Sequence, residues 1–383
     1  NNELLYASNE ERFTRIKLDN SFPIKSLQWC LDSENITTKD INIIVYGFSI
    51  GCESQDQQYS YISSLVNTQE KTPEAEIIKN RILIETEVDK KHYNLFLKNV
   101  NSFFKRDIKV KRINHHLSHV ASAYITSGME KALVITADGR GDYRSLTVGI
   151  ATANGFEELY IASSWNSLGY FYGRMTKLCG FTPNRHEGKV TGLAASGNYK
   201  NALNFVKKMI YVKEGKVISN LGDYYRPFFT NYSENLLKEA ENYTKEELAA
   251  ATQYYFEDMF KELISFYINK TQIKNIALAG GVFSNISLNQ VIYELNKDID
   301  IHVYPNMSDA GICAGGCYAW LWENNGMLSQ KITNMYLGYN LNNDLLYNKL
   351  KNENNISVYT PSSIYDSIVD LLLKNNTIGL VNG

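Results

Sequence analysis

The stretch that most constrains the fold is Asn114-His115-His116-Leu117-Ser118-His119, which holds three of the six histidines in 383 residues. Upstream, Asp107 to Ile113 reads as a strand, with Ile108, Val110 and Ile113 apolar among lysines. Downstream, Val120 to Thr126 is small and apolar, which suits a helix. Asn114 stands where an N-cap belongs. A helix starting there puts His115 and His119 one turn apart on a single face, so both imidazoles can reach one ion. His116 lies about a hundred degrees round the helix and points elsewhere. An HxxxH spacing by itself equally describes histidines that cap, pack or face water, so its meaning depends on the company it keeps.

That company comes in order along the chain. Lys131 to Ala137 is a hydrophobic strand running into Asp138-Gly139-Arg140-Gly141-Asp142, and Ser145 to Ala151 is a second strand. The glycines of such a hairpin, Gly139 and Gly141, can leave backbone N–H groups open to an anion, or simply make a turn. Asp138 ends a buried strand, a rigid place from which to ligate a metal or orient water. A strand at Leu159 to Ser163 precedes a helix stopped by Gly180, and Glu187-Gly188-Lys189-Val190-Thr191-Gly192 follows, dense in small residues. Further on, the strand Ile276 to Ala279 enters Gly280-Gly281 and Asn285 at a helix start, where freed amides suit a phosphate or ribose. Asp309 precedes a helix with Gly315 and Gly316, as an N-cap or as a ligand.

The rest is framed more simply. Glu3 to Ala7 and Thr377 to Val381 read as strands, Ile24 to Leu31 as a helix, Ile41 to Tyr46 as a buried strand, residues 51–72 as irregular, and Pro73 to Lys105 as a long helical stretch. Tyr254, Tyr255, Phe256, Met259 and Phe260 read as a core stripe. With 44% hydrophobic and 21% charged residues the chain is an ordinary folded protein, long enough for two or three lobes. A net charge of −2 leaves no basic stripe for nucleic acid. No apolar run approaches the roughly 18 residues that cross a bilayer, and the cytoplasm is the expected compartment. Five cysteines without a CxxC pair read as reduced core thiols. A homodimer is expected if an aromatic face is exposed.

Taken together, Glu10-Glu11-Arg12-Phe13-Thr14-Arg15-Ile16-Lys17 with Phe22-Pro23, the histidine motif, Asp138-Gly139, Ser167-Leu168-Gly169, Glu187 to Ala194, Ala279-Gly280-Gly281-Val282 with Asn285, and Asp309-Ala310-Gly311 resemble the O-carbamoyltransferases of the nodulation-factor, cephamycin and tobramycin type. The resemblance implies an α/β fold: a two-lobed actin-like, sugar-kinase-like core with mixed sheets flanked by helices over residues 1–335. Residues 336–383 would be a linker and the start of a YrdC-like domain that forms carbamoyl-adenylate. It implies a metal held by His115, His119, Asp138 and Asp309, with iron(II) the ion suggested. From the donor set alone iron, manganese, zinc and nickel fit equally well.

By the same resemblance, carbamoyl phosphate and ATP yield carbamoyl-adenylate, whose carbamoyl group passes to a hydroxyl of a small-molecule acceptor. Gly139, Gly141, Gly280, Gly281, Asn285 and Asp309 are the candidate nucleotide contacts, and His116, Lys189 and Asp138 the candidate catalytic groups. Relatives begin with a further strand and phosphate turn and continue beyond residue 383, so the chain is expected to be a fragment, doubtful in activity by itself. The competing readings are a sugar kinase of the same fold, a tRNA threonylcarbamoyl transferase, and a nucleotide-binding scaffold without chemistry.

Overall fold

The computed structural model describes residues 4–49, 73–222, 224–226, 232–340 and 342–381. The irregular stretch expected at 51–72 and the closing Asn382-Gly383 lie outside them. Residues 9–333 make one compact unit, and residues 4–8 with 334–381 a second, small one.

In the larger unit, β1 (Ile43–Tyr46) pairs in parallel with β2 (Lys109–Arg112). The main sheet contains β3 (Lys131–Gly141), β4 (Arg144–Thr152), β5 (Gly155–Ser163), β8 (Asn275–Ala279) and β9 (Asp300–Val303), ordered β5-β4-β3-β8-β9. The first three form an antiparallel meander, while β3, β8 and β9 run in parallel. A hairpin, β6 (Ile210–Lys213) and β7 (Lys216–Ser219), stands apart from this sheet. This is a mixed α/β fold with its sheet flanked by helices.

Strand alternation decides what each face of the sheet carries. Leu133, Ile135 and Ala137 of β3 enter the main core with Phe171, Met175, Phe205, Phe256 and Phe260 from the helices Leu168–Leu178, Tyr199–Val206 and Lys245–Thr271. Thr136, on the other face, meets the helix His115–Ile125 through His116. That histidine helix packs in turn on the helix Ile312–Asn325. A Cβ on Gly315 would lie 2.1 Å from the Ser118 carbonyl oxygen, so only glycine allows this approach.

The parallel register is what gathers the sequence motifs. Thr136 of β3 stands beside Ala279 of β8, and Leu278 beside Val303 of β9. β8 and β9 therefore end about level with Thr136, while β3 runs on to Gly141 beside β4, so Asp138, Gly280-Gly281 and the segment leading to Asp309 meet at one edge, the usual ligand side of a parallel sheet.

Several expectations need correction. Residues 4–8 form no strand; Ala7 N–H makes a single backbone bond to Leu337 O. Residues 377–381 are likewise irregular, with Leu380 and Val381 exposed and no strand beside them among the described residues. β5 starts at Gly155, because the meander turns tightly at residues 152–155. The long helical stretch read from Pro73 is, by contrast, as expected, one continuous helix, Pro73–Phe104. Tyr254 leaves the core stripe to stack on Tyr199 at 3.9 Å. Cys313 and Cys317 are exposed, whereas Cys179 is buried.

In the small unit two helices, Asn343–Lys351 and Ile364–Leu373, carry no buried residue. No helix among the described residues is long and apolar enough to cross a membrane.

Gly280 gives a test of the register. Its φ is +103° and a Cβ there would lie 2.1 Å from the Ala137 carbonyl oxygen. Gly280→Ala is expected to cost about 2 kcal/mol or more in urea unfolding, from strain and overlap together.

Candidate metal centre

The histidine helix starts as its sequence requires. The Asn114 side chain accepts the Leu117 N–H at 3.1 Å. A second, stronger anchor was invisible in the sequence. Asp142, fully buried, accepts the His115 N–H at 2.7 Å, the Ser49 N–H at 3.0 Å and the Ser49 hydroxyl at 2.9 Å. One carboxylate thus satisfies an orphan amide at the helix N-terminus and ties it to the segment after β1. Gly141 completes the seat: a Cβ there would sit 2.0 Å from the His115 ring.

From this seat His115 and His119 turn inward, 0% and 1% exposed, with their Nε2 atoms 3.1 Å apart. Asp138 is steered by its neighbours. The Gly139 N–H donates to its Oδ1 at 2.6 Å, and Ser167 Oγ, which caps the next helix, donates to the Asp138 carbonyl at 3.1 Å. Its Oδ2 then points at the histidines, 3.3 Å from His119 Nε2 and 3.7 Å from His115 Nε2. Asp309 is not the cap of its helix. It opens a short 3-10 turn with no side-chain cap bond, and its Oδ1 lies 3.5 Å and 3.6 Å from the same two nitrogens. All four ligand atoms fall within 4.8 Å of one another.

These spacings have a simple meaning. Two donors each about 2.1 Å from one ion are about 3.0 Å apart at a right angle and about 3.4 Å apart at the tetrahedral angle. The separations of the two imidazole nitrogens from each other and from the carboxylates, 3.1–3.7 Å, lie around the tetrahedral value. Asp138 Oδ2, moreover, is buried without a hydrogen-bond partner, a costly state that a shared cation would relieve. A pair of imidazoles and a pair of carboxylates is the donor set of a first-row divalent ion, and it fits.

Electrostatics point the same way. Burial alone would lower the His119 pKa, but the close carboxylates of Asp138 and Asp309, 3.3 and 3.6 Å from its Nε2, outweigh it and raise it to about 9. Burial would raise the Asp138 carboxyl, yet the two histidines hold it well below the usual carboxylate range. The cluster is built to attract positive charge at its centre.

The remaining candidates divide. His116 is fully buried, its Nδ1 2.8 Å from Thr136 Oγ1, and burial together with the neighbouring histidines keeps it neutral. Enclosed between helix and sheet, it has no opening to a substrate. Lys189 is exposed on the helix Glu187–Ala194, over the Phe181 ring at 5.8 Å, and is not drawn into the cluster. The Gly139 amide is spent on Asp138 and the Gly280 amide on Met307 O at 2.7 Å, so neither is open to an anion. Gly141 serves packing. Gly281 faces Asp138, with a Cβ position 3.3 Å from Oδ1.

Asn285 caps the helix Ile286–Tyr293 and bonds Gln253, which also accepts from Tyr172 at 2.7 Å and donates to Glu257 at 2.7 Å. Gln253 and Glu257 sit inside a helix with no motif around them, which is why sequence reading passed them over.

Asp142→Ala would leave three buried donors, at Ser49 and His115, without their acceptor. Urea unfolding should show a loss of about 2–4 kcal/mol.

Comparison with known proteins gives this geometry a context. Residues 1–318 match the family described as carbamoyltransferase N-terminus. An uncharacterised protein of Methanocaldococcus jannaschii is 27% identical over 391 residues, covering 100% of this chain and 66% of that protein. The nodulation protein NolNO of Sinorhizobium fredii is 26% identical over 356 residues, covering 89% of this chain and 48% of NolNO. The chain therefore spans about half to two thirds of these relatives' length. Among solved structures, full-length HypF in its phosphate- and nucleotide-bound form aligns with 60% of this chain and 46% of its own at 15% identity and a TM-score of 0.35, too loose a match to carry argument. With the family matched over more than four fifths of its length, the chain belongs to the carbamoyltransferase N-terminal family.

Proposed function

We propose that this chain forms the transfer core of an ATP-dependent O-carbamoyltransferase, in which His115, His119, Asp138 and Asp309 hold a divalent cation. The observation that carries the reading is the convergence of those four ligand atoms within 4.8 Å at the shared edge of three parallel strands. When bound, the cation supplies positive charge that polarises a carbamoyl carbonyl and stabilises charge growing on its oxygen.

The protein's own residues do the rest. The acceptor hydroxyl oxygen forms a bond to the carbamoyl carbon of carbamoyl-adenylate, and the bond from that carbon to the phosphate oxygen breaks, its electron pair leaving with AMP. The hydroxyl proton needs a base beside the cluster. Of the groups present, Asp309 is the one with both position and access, its side chain 58% exposed. Asp138, fixed through Oδ1, keeps its other oxygen directed at the site and so sets the orientation of whatever binds there. Gly281, pressed against Asp138, lets a ligand come close to the strand ends. Carbamoyl-adenylate would come from carbamoyl phosphate and ATP on the YrdC-like domain assigned here to residues 336 onward, and the acceptor is a small molecule with a free hydroxyl. Iron(II) is the proposed ion.

Elemental analysis of full-length protein purified without oxygen or chelators, alongside His119→Ala, tests the reading. Near-stoichiometric first-row metal that disappears in the variant, together with loss of label transfer from carbamoyl phosphate to acceptor, is the expected outcome. Metal-free wild-type protein would sink it.

A second check uses protons. With the His119 pKa raised to about 9, chelator-stripped protein carries a proton there at pH 7 that an incoming cation must displace. Calorimetric titration in buffers of different ionisation enthalpy should show about one proton released per ion at pH 7, falling towards zero above pH 9.

A further inference from the structure

Gln253 lies inside the helix Lys245–Thr271, 6% exposed, and every hydrogen-bonding position of its amide is taken. Its Oε1 accepts from the Tyr172 hydroxyl at 2.7 Å and from Asn285 Nδ2 at 2.9 Å. Its Nε2 donates to Glu257 Oε1 at 2.7 Å and to Asn285 Oδ1 at 3.2 Å. A glutamine amide has two acceptor positions and two N–H groups, so nothing is left over. Two bonds of opposite sense therefore join Gln253 to Asn285, edge to edge.

The partners decide which way round the amide sits. Glu257, as a carboxylate, can only accept, and Ser287 Oγ donates to the same Oε1 at 2.6 Å. The edge of Gln253 turned towards it must carry the nitrogen. On the other edge, burial pushes the Tyr172 hydroxyl well above its ordinary range, so it keeps its proton and donates. That hydroxyl also meets Thr191 Oγ1 at 2.8 Å, which brings the helix Glu187–Ala194 into the same chain of bonds. Glu187 and Cys179 are the other titratable groups beside Tyr172.

Asn285 is held the same way by two separate constraints. As the cap of the helix Ile286–Tyr293 its Oδ1 takes the Leu288 N–H at 3.1 Å, and Gln253 fills the remaining acceptor position and one of the two amide hydrogens. This half-buried side chain is left with one N–H to give and no acceptor. It follows directly on the 3-10 turn Gly281–Ser284, whose first residue faces the carboxylate of Asp138. Reversing the Gln253 amide would set its oxygen against Glu257 and against Asn285 Oδ1, two acceptor pairs with no proton between them.

We infer that Gln253 and Glu257 are positioning residues for a nucleoside: they lock the Asn285 amide so that it offers an N–H, and only an N–H, to an oxygen or ring-nitrogen acceptor of the ligand. Both act through Asn285. The inference rests on the nucleotide reading given above and adds to it the sense of the hydrogen bond and the residues that set it.

The test is calorimetric binding of adenosine, an uncharged probe, to the full-length protein at about pH 8 and about pH 5.5, each variant compared with wild type at the same pH. Gln253→Glu sets a second carboxylate against Glu257 and against Asn285 Oδ1, so at the higher pH adenosine should bind about tenfold more weakly. At the lower pH the two carboxylates share a proton, and the deficit should shrink to about threefold or less. The double variant Gln253→Glu/Glu257→Gln restores a donor between the two positions and should stay within about threefold of wild type at both pH values. Asn285→Asp keeps the capping oxygen but has no N–H to give, and should lose about tenfold at both. Wild-type affinity in Gln253→Glu or in Asn285→Asp, a Gln253→Glu deficit that ignores pH, or a double variant as impaired as the single one would each overturn the inference alone. Wild-type protein that binds no adenosine would overturn it together with the nucleotide reading, while the metal content measured separately reports on the cluster.

Discussion

The whole site depends on how closely backbone and side chains can approach one helix. His115 rests on Gly141 with no room for a methyl group, and Gly315 lies against the Ser118 carbonyl on another side of the same helix. Both contacts are closer than any L side chain allows, so glycines at these positions are a steric requirement of the fold. With the helix held from these directions and its first amide bonded to Asp142, two imidazoles lose the freedom to face water. The order of causes runs from close packing to orientation, and from orientation to a cluster of four donor side chains.

The electrostatic arrangement follows from that rigidity. A neutral, buried His116 and a proton-binding His119 stand three residues apart on one helix because only one of them faces carboxylates. The same residue type is held neutral on the sheet side and faces carboxylates on the strand-end side, and the turn of the helix makes the division. Arg140, one residue beyond Gly139, is drawn the other way, towards Glu85 and Asp89 of the long helix Pro73–Phe104, at 3.4 and 3.2 Å. Its positive charge is thereby engaged outside the cluster.

Much of this was legible in the sequence, for identifiable reasons. The histidine helix and its Asn114 cap could be read from local chemistry, and Asp138 from its place at the end of an apolar strand. Asp309 could be read locally as a cap or as a ligand; the resemblance implied the second, and the structure gives it no cap bond. The hairpin glycines misled, since a glycine that permits close packing and one that exposes an amide look identical in a sequence. Asp142 was seen only as part of a turn, because its partners, Ser49 and the His115 amide, are 93 and 27 positions away. The terminal strands failed because alternation cannot say whether a neighbouring strand exists to pair with.

The ligand set also fixes when the site can exist during folding. His115 and His119 come from one helix, but Asp309 follows β9, which among the described residues pairs with β8 alone, and β8 in turn lies beside β3. The gap from His119 to Asp309 is roughly 190 residues, so the local helix and hairpin can form early while the cluster waits for the most distant strand pairing. A partly folded chain would hold two histidines and one aspartate without the fourth donor. Full coordination is thus available only to a completed sheet, and a cation bound by all four residues would mark the chain as finished.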